Sequence, residues 1–231
     1  MSEQIVSYEQ VDSVAVITMD DGKVNALSPA LIEQVDAAFD RAEKDAKAVV
    51  LTGRKDRFSA GFDLRVLMSG PKAAGALLKA GGDLLLRLYA YPKPLVIACN
   101  GHALAGGILL CATGDTRIGA RGEYKLGLNE VQKGMPVPTL AHELARDRLD
   151  PRELTKSVVQ ARIYNPEEAA VAGWLDSTVD EAELADAALA EATRLSKLPG
   201  HAYGESKRSL RKQTIEYIET SFAKQIAALG Q

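Results

Sequence analysis

Asn100-Gly101-His102-Ala103-Leu104-Ala105-Gly106-Gly107-Ile108-Leu109-Leu110 joins two kinds of pattern. Before it, Leu95 to Cys99 is an uninterrupted apolar run of strand length, as expected of a strand buried on both faces. Asn100-Gly101 turns the chain, and an apolar, glycine-containing segment follows over 103–113. Small residues thus lead from a buried strand into an apolar helix whose first amides belong to Gly106 and Gly107. The first N–H groups of a helix have no partner within it, and the helix dipole favours negative charge there. Two readings stand side by side: an anion-holding helix start, or glycines that let the helix pack closely.

Outward from this segment, strands and helices alternate. Thr116 to Ala120 reads as a strand, and upstream Tyr91-Pro92-Lys93-Pro94 stops an Ala- and Leu-rich helix over about 72–90. Ala48 to Leu51 is a short buried strand, followed by a loop over 53–63. Ser28 before Pro29 is a helix N-cap signal, and Leu31, Val35, Ala38 and Ala42 form the stripe of a helix reaching about Lys44. Residues 4–8 and 13–20 read as strands, with Asp20-Asp21-Gly22 as a turn. This alternation continues to about residue 180 and implies an α/β fold in a single domain, 1–231. From 181 the pattern is helical: 181–198, a second stretch from Pro199-Gly200 to Lys212, and a third over about 214–229. Such a tail packs on its own core or serves oligomerisation.

Composition narrows the function classes. A net charge of −3 lacks the electrostatic footprint of a nucleic-acid binder, so no nucleic-acid partner is expected. Lys207, Arg208, Arg211 and Lys212 are a local basic cluster, read first as a solvated helix face. Cys99 and Cys111 lie in apolar surroundings without metal-ligand spacing, so neither a metal site nor a disulfide framework is expected, and a cytoplasmic location fits. The start lacks the pattern of a signal peptide. No apolar run approaches membrane-spanning length, and no membrane partner is expected.

Two further segments carry chemistry. Phe58-Ser59-Ala60-Gly61-Phe62-Asp63-Leu64 follows a buried strand, and its glycine lets the backbone turn an N–H into a cavity. The plainer reading is a tight loop with Asp63 capping the next helix. Gly127-Leu128-Asn129-Glu130-Val131-Gln132-Lys133-Gly134-Met135-Pro136 places Glu130 between apolar residues. Glutamates are usually solvated, but burial would raise this one's pKa toward that of a general base. His102, with no nucleophile beside it, reads as structural, as does Cys111. Asp115 and Arg117 read as a local ion pair, and Asp150-Pro151 as a helix cap.

In order and spacing these segments resemble the enoyl-CoA hydratase/isomerase (crotonase) superfamily over nearly the whole chain. The resemblance implies a crotonase-like spiral of β-β-α units over 1–180, with a C-terminal helical trimerisation region over 181–231. It also implies an acyl-CoA substrate and assembly as a homotrimer or hexamer. The coenzyme A arrives with the substrate, so no separate cofactor is expected. In relatives two backbone amides hold the thioester oxygen as it becomes an enolate, and these correspond to Phe62 and Gly106 here. Ala60 and Leu64 correspond to contacts along the coenzyme A path. Arg65 stands where relatives often carry Lys, and meets the phosphates or solvent. In relatives a tail lysine can reach the CoA phosphate of a neighbouring subunit, a second reading of the basic tail cluster.

One departure is informative. Hydratases of the superfamily use two glutamates to position water. Glu130 matches the second, but Leu109 occupies the place of the first. This combination, with Gly127-Leu128-Asn129-Glu130, resembles the mitochondrial-type Δ3,Δ2-enoyl-CoA isomerase branch. The resemblance implies movement of the double bond of 3-enoyl-CoA to trans-2-enoyl-CoA, as in fatty-acid β-oxidation, with Glu130 shuttling the proton. Hydration of an enoyl-CoA, or another crotonase reaction on a CoA thioester in fatty-acid degradation, run with Glu130 and no second glutamate, is the alternative.

Overall fold

Short apolar strands separated by turns wind into two sheets that advance together. The computed structural model describes residues 3–229. Strands β1 (Val6–Val11) and β2 (Val14–Met19) form an antiparallel hairpin. Asp12 in its turn has φ of 50°, a conformation Asp tolerates better than most residues. The first strand therefore runs three residues past the expected 4–8. After β3 (Ala26–Leu27), helix α1 (Pro29–Asp45) starts where expected, with Ser28 Oγ accepting from Leu31 N–H at 3.2 Å. Leu31, Val35 and Ala42 of its stripe are buried, joined by Ile32 and Phe39.

The chain then repeats one path. Strand β4 (Ala48–Thr52) is followed by β5 (Asp56–Ser59), β6 (Gly61–Phe62), the helical turn α2 (Leu64–Leu67) and helix α3 (Pro71–Tyr89). Strand β7 (Leu95–Cys99) is followed by β8 (Gly101–Leu104) and α4 (Gly106–Ala112), and β9 (Thr116–Ala120) by β10 (Leu126–Gly127). Helices α5 (Thr139–Arg148), α6 (Pro151–Val158) and α7 (Pro166–Ala172) lead to β11 (Ser177–Val179), α8 (Leu184–Leu195) and α9 (Gly200–Leu229). The large sheet has the order β1-β2-β4-β7-β9-β11, parallel except for β1, and a small parallel sheet has the order β10-β8-β5. Each turn of the path thus adds one strand to each sheet. The segment 53–63 is accordingly not all loop: it supplies β5 to the small sheet and β6, which pairs with β3.

The strands are covered on both faces. Val49, Leu51, Leu95 and Ile97 point into the main core, while Val50, Val96 and Ala98 meet Leu184, Ala188 and Ala192 of α8. This is why their sequences read as continuous apolar runs rather than alternating ones. No helix among the described residues is long and apolar enough to cross a membrane, and no group of three potential metal ligands is found among them.

Three expectations about charge and tail need correction. The stretches 200–212 and 214–229 are one helix, α9, without a break. Asp115 and Arg117 do not pair with each other. Arg117 makes a two-pronged contact with Asp176 (2.5 and 3.0 Å), and Asp115 receives Lys207 at 2.5 Å and Arg211 at 2.9 Å. Lys207 and Arg211 are therefore buried and not part of a solvated face. Arg208 and Lys212 are exposed and pair with Glu205 and Glu216 on the same helix.

Candidate active site

Side-chain amides and a buried hydroxyl hold the two glycine-containing loops. Asn25, fully buried, donates to the carbonyls of Met19 (2.9 Å), Arg57 (3.0 Å) and Phe58 (3.2 Å). Ser59 Oγ donates to Asn25 O at 2.7 Å and accepts from Gly61 N–H at 3.2 Å. Asn100 fastens the neighbouring turn, accepting from Gly53 N–H (3.1 Å) and donating to the Gly53 and Arg54 carbonyls (2.7 and 2.8 Å). These side chains satisfy backbone groups that the short strands leave open.

The loops meet at Gly61. Its φ of +86° suits glycine, and a Cβ there would come within 2.8 Å of Gly106 N and of Leu104 O. Asp63 N–H turns to Leu27 O across the β3–β6 pair at 3.3 Å. Successive groups in a strand alternate in direction, so Phe62 N–H points the other way, off β3. Asp63 also caps α2, accepting from Arg65 and Val66 N–H, as its plainer reading expected. Ala105, at φ 51°, bends the chain so that Gly106 opens α4. Gly106 N–H thus heads a helix and lies against the Gly61 loop.

A cavity of about 470 Å³ opens beside these loops. Ala60, Phe62, Leu64, Leu109 and Glu130 border it, so the structure brings together most of the residues singled out from sequence. Gly106 does not border it: it is buried behind the Phe62 ring, which a Cβ on Gly106 would touch at 3.0 Å. Arg65 is exposed and lies outside the cavity wall. His102 accepts from Lys125 N–H at 2.9 Å and meets Tyr124 edge-on, a structural role. Cys99 and Cys111 are buried free thiols in the core.

Glu130 is half-buried at the start of a single helical turn, Val131–Lys133, that Gly134 ends at φ 72°. Its carbonyl accepts from Lys133 N–H (2.9 Å) and Met135 N–H (3.0 Å), and Gln132 ties the turn to Ala161 O at 2.8 Å. Among the cavity's described lining residues Glu130 is the one carboxylate, and its Oε2 has no hydrogen-bond partner in the protein. Burial raises its pKa, outweighing the Asn129 and Glu130 backbone N–H groups and the Lys133 charge, which lower it. Asn129 borders the same cavity, and its Oδ1 is also buried without a partner. Sequence reasoning assigned Asn129 no part of its own; its place next to Glu130 was the only available signal. Leu109, 2% exposed, closes the cavity wall with an apolar group.

The arrangement offers a carboxyl group of raised pKa at an apolar compartment, with the Phe62 loop at its wall and Gly106 buried behind it. A sequence model of the family described as enoyl-CoA hydratase/isomerase matches residues 9–229. A solved structure of an enoyl-CoA hydratase/isomerase family protein from Pseudomonas syringae is 40% identical, with a TM-score of 0.95 over 97% of this chain and 98% of that one. An enoyl-CoA hydratase from Mycobacterium ulcerans is 36% identical, with a TM-score of 0.94 over 99% of this chain and 100% of that one. Human mitochondrial enoyl-CoA delta isomerase 1 is 32% identical over 212 residues, 90% of this chain and 70% of the relative. The winding of paired sheets is that of the crotonase fold, and the protein belongs to the enoyl-CoA hydratase/isomerase family.

Proposed function

We propose that the protein moves the double bond of a 3-enoyl-CoA to the trans-2 position through a thioester enolate. Glu130 takes the proton from the α carbon, and the electron pair passes into the conjugated enolate. The same carboxyl group returns the proton to the γ carbon, leaving the double bond between the α and β carbons. Phe62 N–H and Gly106 N–H hold the oxyanion, the larger task, since one such donor is worth roughly 3–4 kcal/mol of transition-state stabilisation. Ala60 and Leu64 line the path of the coenzyme A arm, with Arg65 at its exposed end. Assembly as a homotrimer or hexamer belongs to the same reading; Leu210, 85% exposed on α9, is apolar surface that assembly would cover.

The observation carrying this reading is that Glu130, the one carboxylate among the described residues bordering a largely apolar cavity, keeps Oε2 buried without a partner, while Leu109 borders the same cavity. Isomerisation uses no water, and an apolar wall disfavours it. One observation favours the hydratase alternative: Asn129 Oδ1 is a second open acceptor beside Glu130, able to hold a water. Supplying 3-enoyl-CoA and 2-enoyl-CoA separately discriminates the two. Double-bond migration without 3-hydroxyacyl-CoA supports the isomerase, and rapid hydration defeats it. Glu130→Gln should lower turnover roughly 10²–10⁴-fold, the range for a positioned acid/base, while leaving thioester binding nearly intact. The wild-type kcat/KM should fall in acid with a midpoint above the ordinary carboxylate range, because burial raises the Glu130 pKa.

A further inference from the structure

Two consecutive glycines in α3 hold two aromatic rings at the cavity. A Cβ on Gly81 would overlap the Phe62 ring, and one on Gly82 would overlap Cε1 and Cζ of Phe222. Both glycines are buried in the interior of a 19-residue helix, where helix propensity opposes them. What they provide is room for the rings. Phe62 and Phe222 both border the cavity, but they reach it from different parts of the chain. Phe62 belongs to the loop of the oxyanion N–H, and Phe222 comes from α9, which folds back over α3 and α5.

The position of Phe222 is secured from a second side. Gln225, one turn further along α9, accepts through Oε1 from Thr139 N–H at 3.1 Å. Thr139 is the first residue of α5, and the preceding Pro138 provides no side-chain cap. Gln225 thus satisfies a donor that the helix itself leaves unpaired, and it pins α9 where Val137 and Pro138 border the cavity. Leu67, Leu78 and Met135 complete an apolar wall suited to an alkyl chain.

We propose that Phe222, seated in the notch left by Gly82, is the end wall of the acyl compartment and sets the longest acyl chain the enzyme accepts. The proposal rests on the reading of the cavity as the thioester site. Truncating the ring opens the compartment. Adding a methyl at Gly82 drives the ring off its seat toward the cavity it borders and shortens the compartment.

The test is kcat/KM for straight-chain 3-enoyl-CoA thioesters lengthened in two-carbon steps. Wild type should show a length beyond which kcat/KM drops. Phe222→Ala should move that drop to longer chains, with a gain of roughly tenfold or more on the first chain wild type rejects, the scale of methylene discrimination in a pocket. Gly82→Ala should move it to shorter chains. The double variant should follow Phe222→Ala, because without the ring the added methyl displaces nothing. Phe222→Leu, with a thermal melt, replaces the alanine variant if that one fails to fold, and should give an intermediate shift. A length profile unmoved by both single variants overturns the end wall while leaving the site reading standing. Absence of turnover on every 3-enoyl-CoA and 2-enoyl-CoA thioester overturns the site reading and the end wall with it.

Discussion

Asp115 and Glu130 are two carboxylates set into the same fold in opposite ways. Asp115 accepts from Leu95 N–H (2.9 Å), Tyr203 OH (2.8 Å), Lys207 Nζ (2.5 Å) and Arg211 Nη2 (2.9 Å). Every partner is protein, and together they tie the first turns of α9 to the entrance of β9. Glu130 borders a cavity, and its buried Oε2 has no partner in the protein. The fixed donors around Asp115 make it a structural junction, whereas at Glu130 burial outweighs the two backbone N–H groups and raises the pKa, which favours proton uptake. Burial alone does not separate the two; the number of committed donors does.

Removing Asp115 should have the largest effect on stability. Asp115→Ala leaves two buried cations facing each other, and breaking such a buried arrangement typically costs about 3–5 kcal/mol; the shift in urea midpoint measures it. Lys207→Met should cost about 1 kcal/mol or less, because Arg211 and Tyr203 stay on Asp115 and Lys207 itself is disfavoured by burial, which lowers its pKa to about 8. If Lys207→Met proves as damaging as Asp115→Ala, the cluster is not centred on the carboxylate. Glu130→Gln should have the smallest effect and the opposite sign. A carboxyl whose pKa is raised by folding contributes stability below its unfolded pKa and loses it as pH rises through the folded value. Wild type should therefore decline relative to Glu130→Gln as pH climbs from the ordinary carboxylate range to neutrality. A wild type more stable than the variant at neutral pH would contradict the unpaired state of Oε2.

The same contrast explains what was legible in sequence. Helix starts at Ser28, Asp63 and Asp150 could be read because a cap acts two or three residues away. The strand Leu95–Cys99 could be read because burial on both faces leaves an unbroken apolar run. Strands β5, β6 and β10 were missed because they have two to four residues and depend on partners far along the chain. The Asp115 cluster was invisible because Lys207 and Arg211 lie 92 and 96 residues away. Helix α9 was divided near residue 213 because its packing changes along its length: Lys207 and Arg211 bind Asp115, while Phe222 meets α3 and Gln225 meets α5. Glu130 was found by motif resemblance, which reports chemistry without local periodicity. Asn129 stands within the Gly127–Glu130 motif, but its unpartnered Oδ1 and the Gly82–Phe222 seat emerge only when distant elements are brought together.

Exchange of the α protons of a saturated acyl-CoA with deuterated solvent isolates proton abstraction from every later step. Wild-type protein should exchange them, and Glu130→Gln should bind the thioester but exchange only at the background rate. Exchange that persists in the variant would mean that another group removes the proton and that Glu130 is not the base.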